Sequence, residues 1–367
     1  MKSLDMGKYK FEKSKWSYKM PGVRRPQSIR GGHIDDGKLY FVLMHDYKGF
    51  TKSHLIAIDL LNKKERMVFD VEHVAGKPLI EGDKIFITTY EPKLYCIDKN
   101  SHAIVWVWDD SIIKSNMNAY IGKSHTNIMV SEFAGIGRYV YCIDEIAQQA
   151  KWCYDCRTSV SSEFYIEGNK VFFGTNGAGA VCLSIDNGNV VWAEDAELRC
   201  PTTGHPSEKS IYTKLVRNLS LTELLVMDSV ATLRVLDKST GATLNGIPFP
   251  PNSILGMEIF GACIYVSVEN EGLICLNYTK NKELEKLWGF CPGEITSGGF
   301  CIFEENVVYS CGDGKNNNIY LLDKNNGSEL ANVKSKNLIR SFVRNELDFY
   351  LLSDKGQVEL ISIVENL

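Results

Sequence analysis

The sequence lacks a long apolar run: nothing in its 367 residues approaches the ~18 consecutive apolar residues of a membrane-spanning helix. It lacks a surplus of either charge, with 41 basic and 45 acidic side chains and a formal net charge of −4. A nucleic-acid binder built on a basic field is therefore not expected. The opening residues, MKSLDMGKYKFEKSKWSYKM, hold neither the apolar core of a secretory signal nor a lipobox cysteine. These absences set the expectation of a soluble cytoplasmic protein, monomeric when free, that touches neither membrane nor nucleic acid. Adjacent cysteines are also missing, and eleven cysteines without an export signal read as free thiols.

What the sequence does contain is a repeat. An apolar strand, a short turn, a second strand ending in Asp and a turn leading to Trp recur, most clearly in KIFITTYEPKLYCIDKNSHAIVWVW (84–108), KVFFGTNGAGAVCLSIDNGNVVW (170–192) and NVVYSCGDGKNNNIYLLDKNNGSEL (306–330). With the strand-ending residue as position zero, the copies fall at Asp59, Asp98, Asp144, Ser184, Asp237, Asn277, Asp323 and Ser362, separated by 39, 46, 40, 53, 40, 46 and 39 residues. That spacing suits one four-stranded blade per copy. Four residues after zero, Gly188, Gly241 and Gly327 occupy a turn where a positive φ suits glycine. Eight after zero stand Trp106, Trp152 and Trp192, and Trp288 follows Asn277 after a three-residue insertion. Two before zero stand Ala57, Cys96, Cys142, Cys182, Val235, Cys275, Leu321 and Leu360, all apolar, so four cysteines read as packing groups. The strand runs are rich in β-branched and aromatic residues, and no convincing helix is present.

The fold class expected is all-β: an eight-bladed β-propeller of four-stranded antiparallel blades in one domain spanning 1–367. Residues 8–20 complete the last blade, because Lys15-Trp16-Ser17-Tyr18 matches Lys151-Trp152-Cys153-Tyr154 and closure removes open sheet edges. Seven blades would require the fifth unit to be something else, and its 194–222 stretch reads as a loop-rich excursion. The repeat resembles the PQQ-like, or quinoprotein-like, β-propeller family, whose blade runs V-Y-V-x-T-x-D-G-x-L-Y-A-L-D-x-x-T-G-x-x-x-W. The resemblance covers nearly the whole chain. It implies the fold and leaves function open. Quinone dehydrogenases of this family are exported, place calcium beside the quinone and carry a disulfide between adjacent cysteines. This chain departs from each feature, so no cofactor and no metal is expected. The family's outer-membrane assembly scaffold is a periplasmic lipoprotein, which also fits the opening residues poorly.

Cys153-x-x-Cys156 has no second ligand pair for zinc and no helix to activate a thiolate. His45-Asp46, placed in a long loop of the first unit, and Glu72-His73, in a link between blades, open on one face and could serve a lyase or hydrolase acting on a sugar or ester. No blade repeats that pattern, so a non-catalytic, protein-binding propeller is the main expectation. Loops between the first and second strand of each unit carry Glu91, Glu132, Asp228, Glu269, Glu271, Asp313 and Asp354, a mildly acidic face suited to a basic partner. The candidate partner-binding residues are Glu91, Asp228, Glu269, Glu271 and Asp313, with Tyr47, Phe50 and Phe249 as anchors. The most specific expectation is a cytosolic immunity protein that neutralises a basic toxin domain; a general assembly scaffold is the alternative.

Thiol titration of the denatured, unreduced protein is expected to return close to eleven free groups. Stoichiometric zinc, or a quinone absorption band in the purified protein, would overturn the reading of the cysteines as plain packing groups.

Overall fold

A computed structural model describes residues 9–19, 26–47, 50–72, 74, 76–89, 93–109, 117–132, 138–176, 179–194, 213–228, 232–249, 254–279, 281–293, 299–312 and 316–365. Among them all 32 regular elements are strands, arranged as eight four-stranded antiparallel sheets, the blades of an eight-bladed β-propeller. No helix among the described residues is long and apolar enough to cross a membrane. The chain divides into two compact units, Val71–Asn252 and Met1–Asp70 with Ser253–Leu367, each holding four blades.

In the unit Val71–Asn252, blade two runs through Leu79–Glu81, Lys84–Thr88, Leu94–Asp98 and Ile104–Trp108. Blade three follows with Met117–Ser124, Asn127–Glu132, Tyr139–Asp144 and Gln149–Asp155, and blade four with Tyr165–Glu167, Lys170–Thr175, Gly179–Ser184 and Val190–Ala193. Blade five is Thr213–Asn218, Glu223–Asp228, Thr232–Asp237 and Thr243–Pro248. The 194–222 stretch is therefore not loop throughout. Thr213–Asn218 is a strand pairing with Glu223–Asp228, so the fifth unit is a full blade and a seven-bladed count falls. Residues 195–212 lie outside the described residues.

In the other unit, blade six comprises Ile254–Phe260, Cys263–Val268, Gly272–Tyr278 and Leu284–Phe290. Blade seven comprises Phe300–Phe303, Asn306–Gly312, Asn317–Asp323 and Glu329–Ser335. Blade eight takes Ile339–Asn345, Asp348–Ser353 and Gln357–Glu365 from one chain end and Tyr9–Lys19 from the other. Lys10 lies opposite Val364 and Tyr18 opposite Val358, which is the closure that Trp16 indicated. Blade one comprises Pro26–Asp35, Lys38–Tyr47, Phe50–Asp59 and Glu65–Glu72.

The repeat residues have distinct jobs. Asp at position zero caps its turn: Asp144 Oδ1 accepts from the amides of Ile146 and Ala147, both at 2.9 Å, and Asp237 Oδ1 from those of Ser239 and Thr240, both at 2.9 Å. The amide four residues on then bonds back to the carbonyl of residue zero, as in Gly188 to Ser184 and Gly241 to Asp237. This turn puts the +4 residue at φ +71° in Gly188 and +74° in Gly241. Directly opposite each Trp on the neighbouring strand stands the cysteine two before zero: Cys96 opposite Trp106, Cys142 opposite Trp152, Cys182 opposite Trp192, Cys275 opposite Trp288. All four cysteines are buried. Immediately beside these pairs the register slips by one residue, a β-bulge. The extra residue faces outward, which accounts for exposed Val105, Val191 and Leu287 in otherwise alternating strands.

Each of three tryptophans also locks its blade onto the next. Trp152 Nε1 donates to Ile185 O at 2.7 Å, Trp192 Nε1 to Lys238 O at 2.8 Å and Trp288 Nε1 to Lys324 O at 2.9 Å. The indole faces lie flat against Gly188, Gly241 and Gly327, where an added Cβ would come within 2.7, 2.5 and 2.5 Å of a ring carbon. Glycine is thus required twice, for its left-handed backbone and for the ring above it.

Gly241→Ala and Gly168→Ala separate these two requirements. Gly168 has φ +56° with open space at its missing Cβ, so its substitution should cost only left-handed strain, about 1–2 kcal/mol. Gly241→Ala should cost a further ~1–3 kcal/mol for displacing Trp192. Urea denaturation checks this, and equal losses in the two variants would refute the indole–glycine joint.

Candidate functional site

The acidic loop class divides sharply once its side chains are placed. Glu132 is 1% exposed and turned into blade three, where Oε1 accepts from Tyr141 OH at 2.9 Å and Oε2 from the Arg138 amide at 3.1 Å. Asp228 is 3% exposed. It accepts from Thr213 Oγ1 at 3.0 Å and from Arg234 Nε at 2.6 Å. Arg234 is itself buried and also binds Glu194, NH1 to Oε1 at 2.5 Å and NH2 to Oε2 at 3.0 Å. Burial works against the Arg234 charge, but Glu194 and Asp228 outweigh it and hold the guanidinium protonated. Asp228 is thus committed inside its own unit and offers a partner no free carboxylate. The signal that could have exposed this is Arg234 itself, a lone cation in the apolar run Leu233-Arg234-Val235-Leu236 of a central strand.

Glu269 and Glu271 behave differently. They flank Asn270 in the turn between Cys263–Val268 and Gly272–Tyr278; Glu269 is half-buried and Glu271 exposed. Among the described residues neither carboxylate has an ion-pair partner. Cys291 Sγ contacts Asn270 O at 3.5 Å and Gly293 O at 3.6 Å, which ties this turn to a cleft of about 190 Å³. The cleft is bounded by Pro292, Gly293, Cys311, Asn316, Asn318 and Tyr320. Of the remaining candidates, Phe249 is half-buried just after Thr243–Pro248. Tyr47 and Phe50 end facing strands and pair with each other across the ladder. Their side chains, together with Glu91 and Asp313, lie outside the described residues.

The histidine region also departs from expectation. Lys38–Tyr47 and Phe50–Asp59 pair without a break from Lys38 opposite Asp59 to Tyr47 opposite Phe50, so His45 sits in a strand and not in a long loop. Its Nε2 is 2.8 Å from Nε2 of His54, and the rings stack at 5.0 Å. His73 lies outside the described residues.

Eight of the thiols are held protonated. Burial pushes Cys153 and Cys301 up to about 11 and Cys96, Cys142, Cys182, Cys275 and Cys311 up to between about 11 and about 12. Burial likewise raises Cys156 well above the ordinary thiol value, within the apolar cluster that holds Val171 and Phe173. A nucleophilic or redox-active cysteine needs the opposite shift. Among the described residues no group of three or more His, Cys, Asp or Glu side chains is arranged to hold a metal ion.

A second cleft, about 210 Å³, lies along the inner strands of blades two to four, lined by Lys77, Leu79, Tyr120, Ile121, Glu163 and Phe164. Glu163 pairs with Lys77 at 2.5 Å and Arg217 at 2.9 Å. Burial pushes its carboxyl up, but the two cations outweigh burial and leave it below the ordinary glutamate range.

A depressed carboxyl contributes stability that is present above its unfolded value of 4.5 and lost as pH falls through the folded one. Glu163→Gln should therefore be less stable than the parent at pH 7, by about 1 kcal/mol or less given solvent screening of Lys77. The difference should close below about pH 4.5. Melting temperatures across pH 3–7 test this; parallel curves for the two proteins would contradict it.

Against known proteins, the family described as outer membrane protein assembly factor BamB matches residues 107–333, more than half of the chain. No curated protein matches the sequence. Among solved structures, BamB from Moraxella catarrhalis superposes with a TM-score of 0.69 at 15% identity, covering 96% of this chain and 99% of that one. Quinohemoprotein alcohol dehydrogenase from Comamonas testosteroni gives 0.69 at 11% identity, covering 96% and 76%. The computationally designed Ika8 protein gives 0.68 at 11% identity, covering 93% and 98%. At these identities the likeness is one of fold alone.

Proposed function

The chain belongs to the family described as outer membrane protein assembly factor BamB, and from that premise we propose that it is a non-catalytic propeller whose loops bind another protein. Family membership is the observation that carries the reading, since an assembly factor acts by holding other proteins. The carboxylates of Glu269 and Glu271, without ion-pair partners among the described residues, favour a partner surface with basic character. The raised thiols of Cys153 and Cys156, the one Cys-x-x-Cys pair, speak against redox or nucleophilic catalysis there.

The specific partner proposed is a basic toxin domain, which the chain would bind and neutralise in the cytoplasm. The free, unpaired state of the described cysteines is in keeping with a reducing compartment. A scaffold that assists the assembly of other proteins is the second reading, and the wording of the family description favours it.

Affinity purification from the native cell, followed by sizing of the purified complex, tests the proposal. One protein should copurify at fixed stoichiometry, and Glu269→Lys with Glu271→Lys should weaken the complex at least tenfold. Rescue of growth when that partner is co-expressed with the chain would mark it as a toxin. Absence of any complex, together with turnover of a sugar or ester that His73→Ala abolishes, would replace this reading with an enzyme.

A further inference from the structure

The cleft beside the Glu269–Glu271 turn has the dimensions and chemistry of a receptor for a single side chain. At about 190 Å³ it is smaller than the ~300–1,000 Å³ pockets that enclose small organic ligands. Its inner wall is aromatic: Tyr320 lines it, and Phe290 packs edge-on against Tyr320 with ring centroids 5.0 Å apart. Both rings are half-buried, so each still presents surface to the cleft or to solvent. Asn316, Asn318 and Tyr320 alternate along one face of the chain entering and following Asn317–Asp323. Residues two apart in a strand are about 6.6 Å apart, which is also the repeat of same-side peptide groups in an extended ligand. The carboxamide of Asn318 can bond the backbone of a segment laid along the strand.

The charges around the cleft give this segment a direction. No residue lining it is charged. On one side, tied to the cleft through the contacts of Cys291 with the backbone of Asn270 and Gly293, lies the turn that carries Glu269 and Glu271, whose carboxylates have no ion-pair partner among the described residues. On the other side, exposed Lys334 stands directly opposite Asn318 on the outer strand. We propose that this cleft receives an arginine side chain carried by an extended segment of the partner protein, with the guanidinium against Tyr320 and directed toward Glu269 and Glu271. Arginine suits the site better than lysine, because its planar guanidinium stacks on aromatic faces and can bond a carboxylate through two N–H groups at once.

The assignment takes the protein-binding reading as given, and a peptide titration separates the two. The probes are three fluorescein-labelled peptides, otherwise uncharged, carrying one arginine, one lysine or one glutamate, titrated with the full chain and read by anisotropy. The arginine peptide should bind saturably, at least threefold tighter than the lysine peptide, and the glutamate peptide should not bind. Asn318→Leu and the pair Glu269→Gln with Glu271→Gln should each weaken the arginine peptide at least fivefold, with unchanged melting temperature. Glu283→Gln, an exposed carboxylate at the opposite end of blade six, should have no effect. Equal affinity for arginine and lysine peptides, no saturable binding, or full retention by Asn318→Leu would overturn the arginine cleft. A partner that copurifies with the chain while the arginine peptide fails to bind leaves the protein-binding reading intact and removes only this cleft from it.

Discussion

The indole of one blade resting on a glycine of the next is the contact on which the rest of each unit depends. A β-sheet buries its two faces only if neighbouring sheets cover them, and a four-stranded blade alone has too little core to persist. Trp152, Trp192 and Trp288 solve this with one side chain that covers apolar surface and satisfies a backbone carbonyl of the adjoining blade. Losing such an indole costs about 3–5 kcal/mol, a large share of a typical domain's net stability. Several local features follow from seating it. The residue opposite must be small, hence Cys142, Cys182 and Cys275. The strand must bulge beside it, hence the outward Val191 and Leu287. The turn beneath it must lack a Cβ, hence Gly188, Gly241 and Gly327.

The joint is not uniform around the chain. The residue eight after position zero is Met67 in blade one, Asn245 in blade five and Ala331 in blade seven. In blade eight the tryptophan arrives from the opposite chain end: Trp16 lies in the strand Tyr9–Lys19, which pairs with Gln357–Glu365. Lys63, the left-handed residue of the blade-one turn, sets its ammonium 5.5 Å from the centre of that indole. A cation at the turn thus meets the ring where a glycine does elsewhere, and blade eight is sealed within its own unit.

These relations made the architecture readable from the sequence, because each leaves a residue type at a fixed offset. Asp at zero, Cys two before and Trp eight after are local consequences of a turn, a bulge and a seat, and they repeat because the blade repeats. The candidate site was far less legible, for a physical reason. Asp228 ends one short apolar strand and Glu269 follows another, so their local patterns are alike. What distinguishes them is Arg234 in the adjoining strand and Glu194, forty residues earlier than Arg234 in the chain. Long-range ion pairing leaves no periodic trace. His45 misled in the converse direction: His-Asp-Tyr-Lys-Gly reads as loop chemistry, yet the ladder of Lys38–Tyr47 with Phe50–Asp59 continues through it.

Separating committed from uncommitted charge is also what narrows function. In the unit Val71–Asn252, Glu132 is hydrogen-bonded by Tyr141 and the Arg138 amide, while Asp228 pairs with Arg234 and Glu163 with Lys77 and Arg217, so their role is to hold the blades. A carboxylate already desolvated and paired has little interaction free energy left for a ligand, and breaking the pair to bind one would expose a buried charge. Glu269 and Glu271 sit instead on a rigid turn whose backbone is set by Asn270 at φ +60° and Gly272 at φ +84°. A ligand cation meeting them orders little new chain, so more of its attraction appears as affinity. Blades with a few uncommitted groups at their loops form a surface organised before its partner arrives, and among the described residues the turn that carries Glu269 and Glu271 has this character.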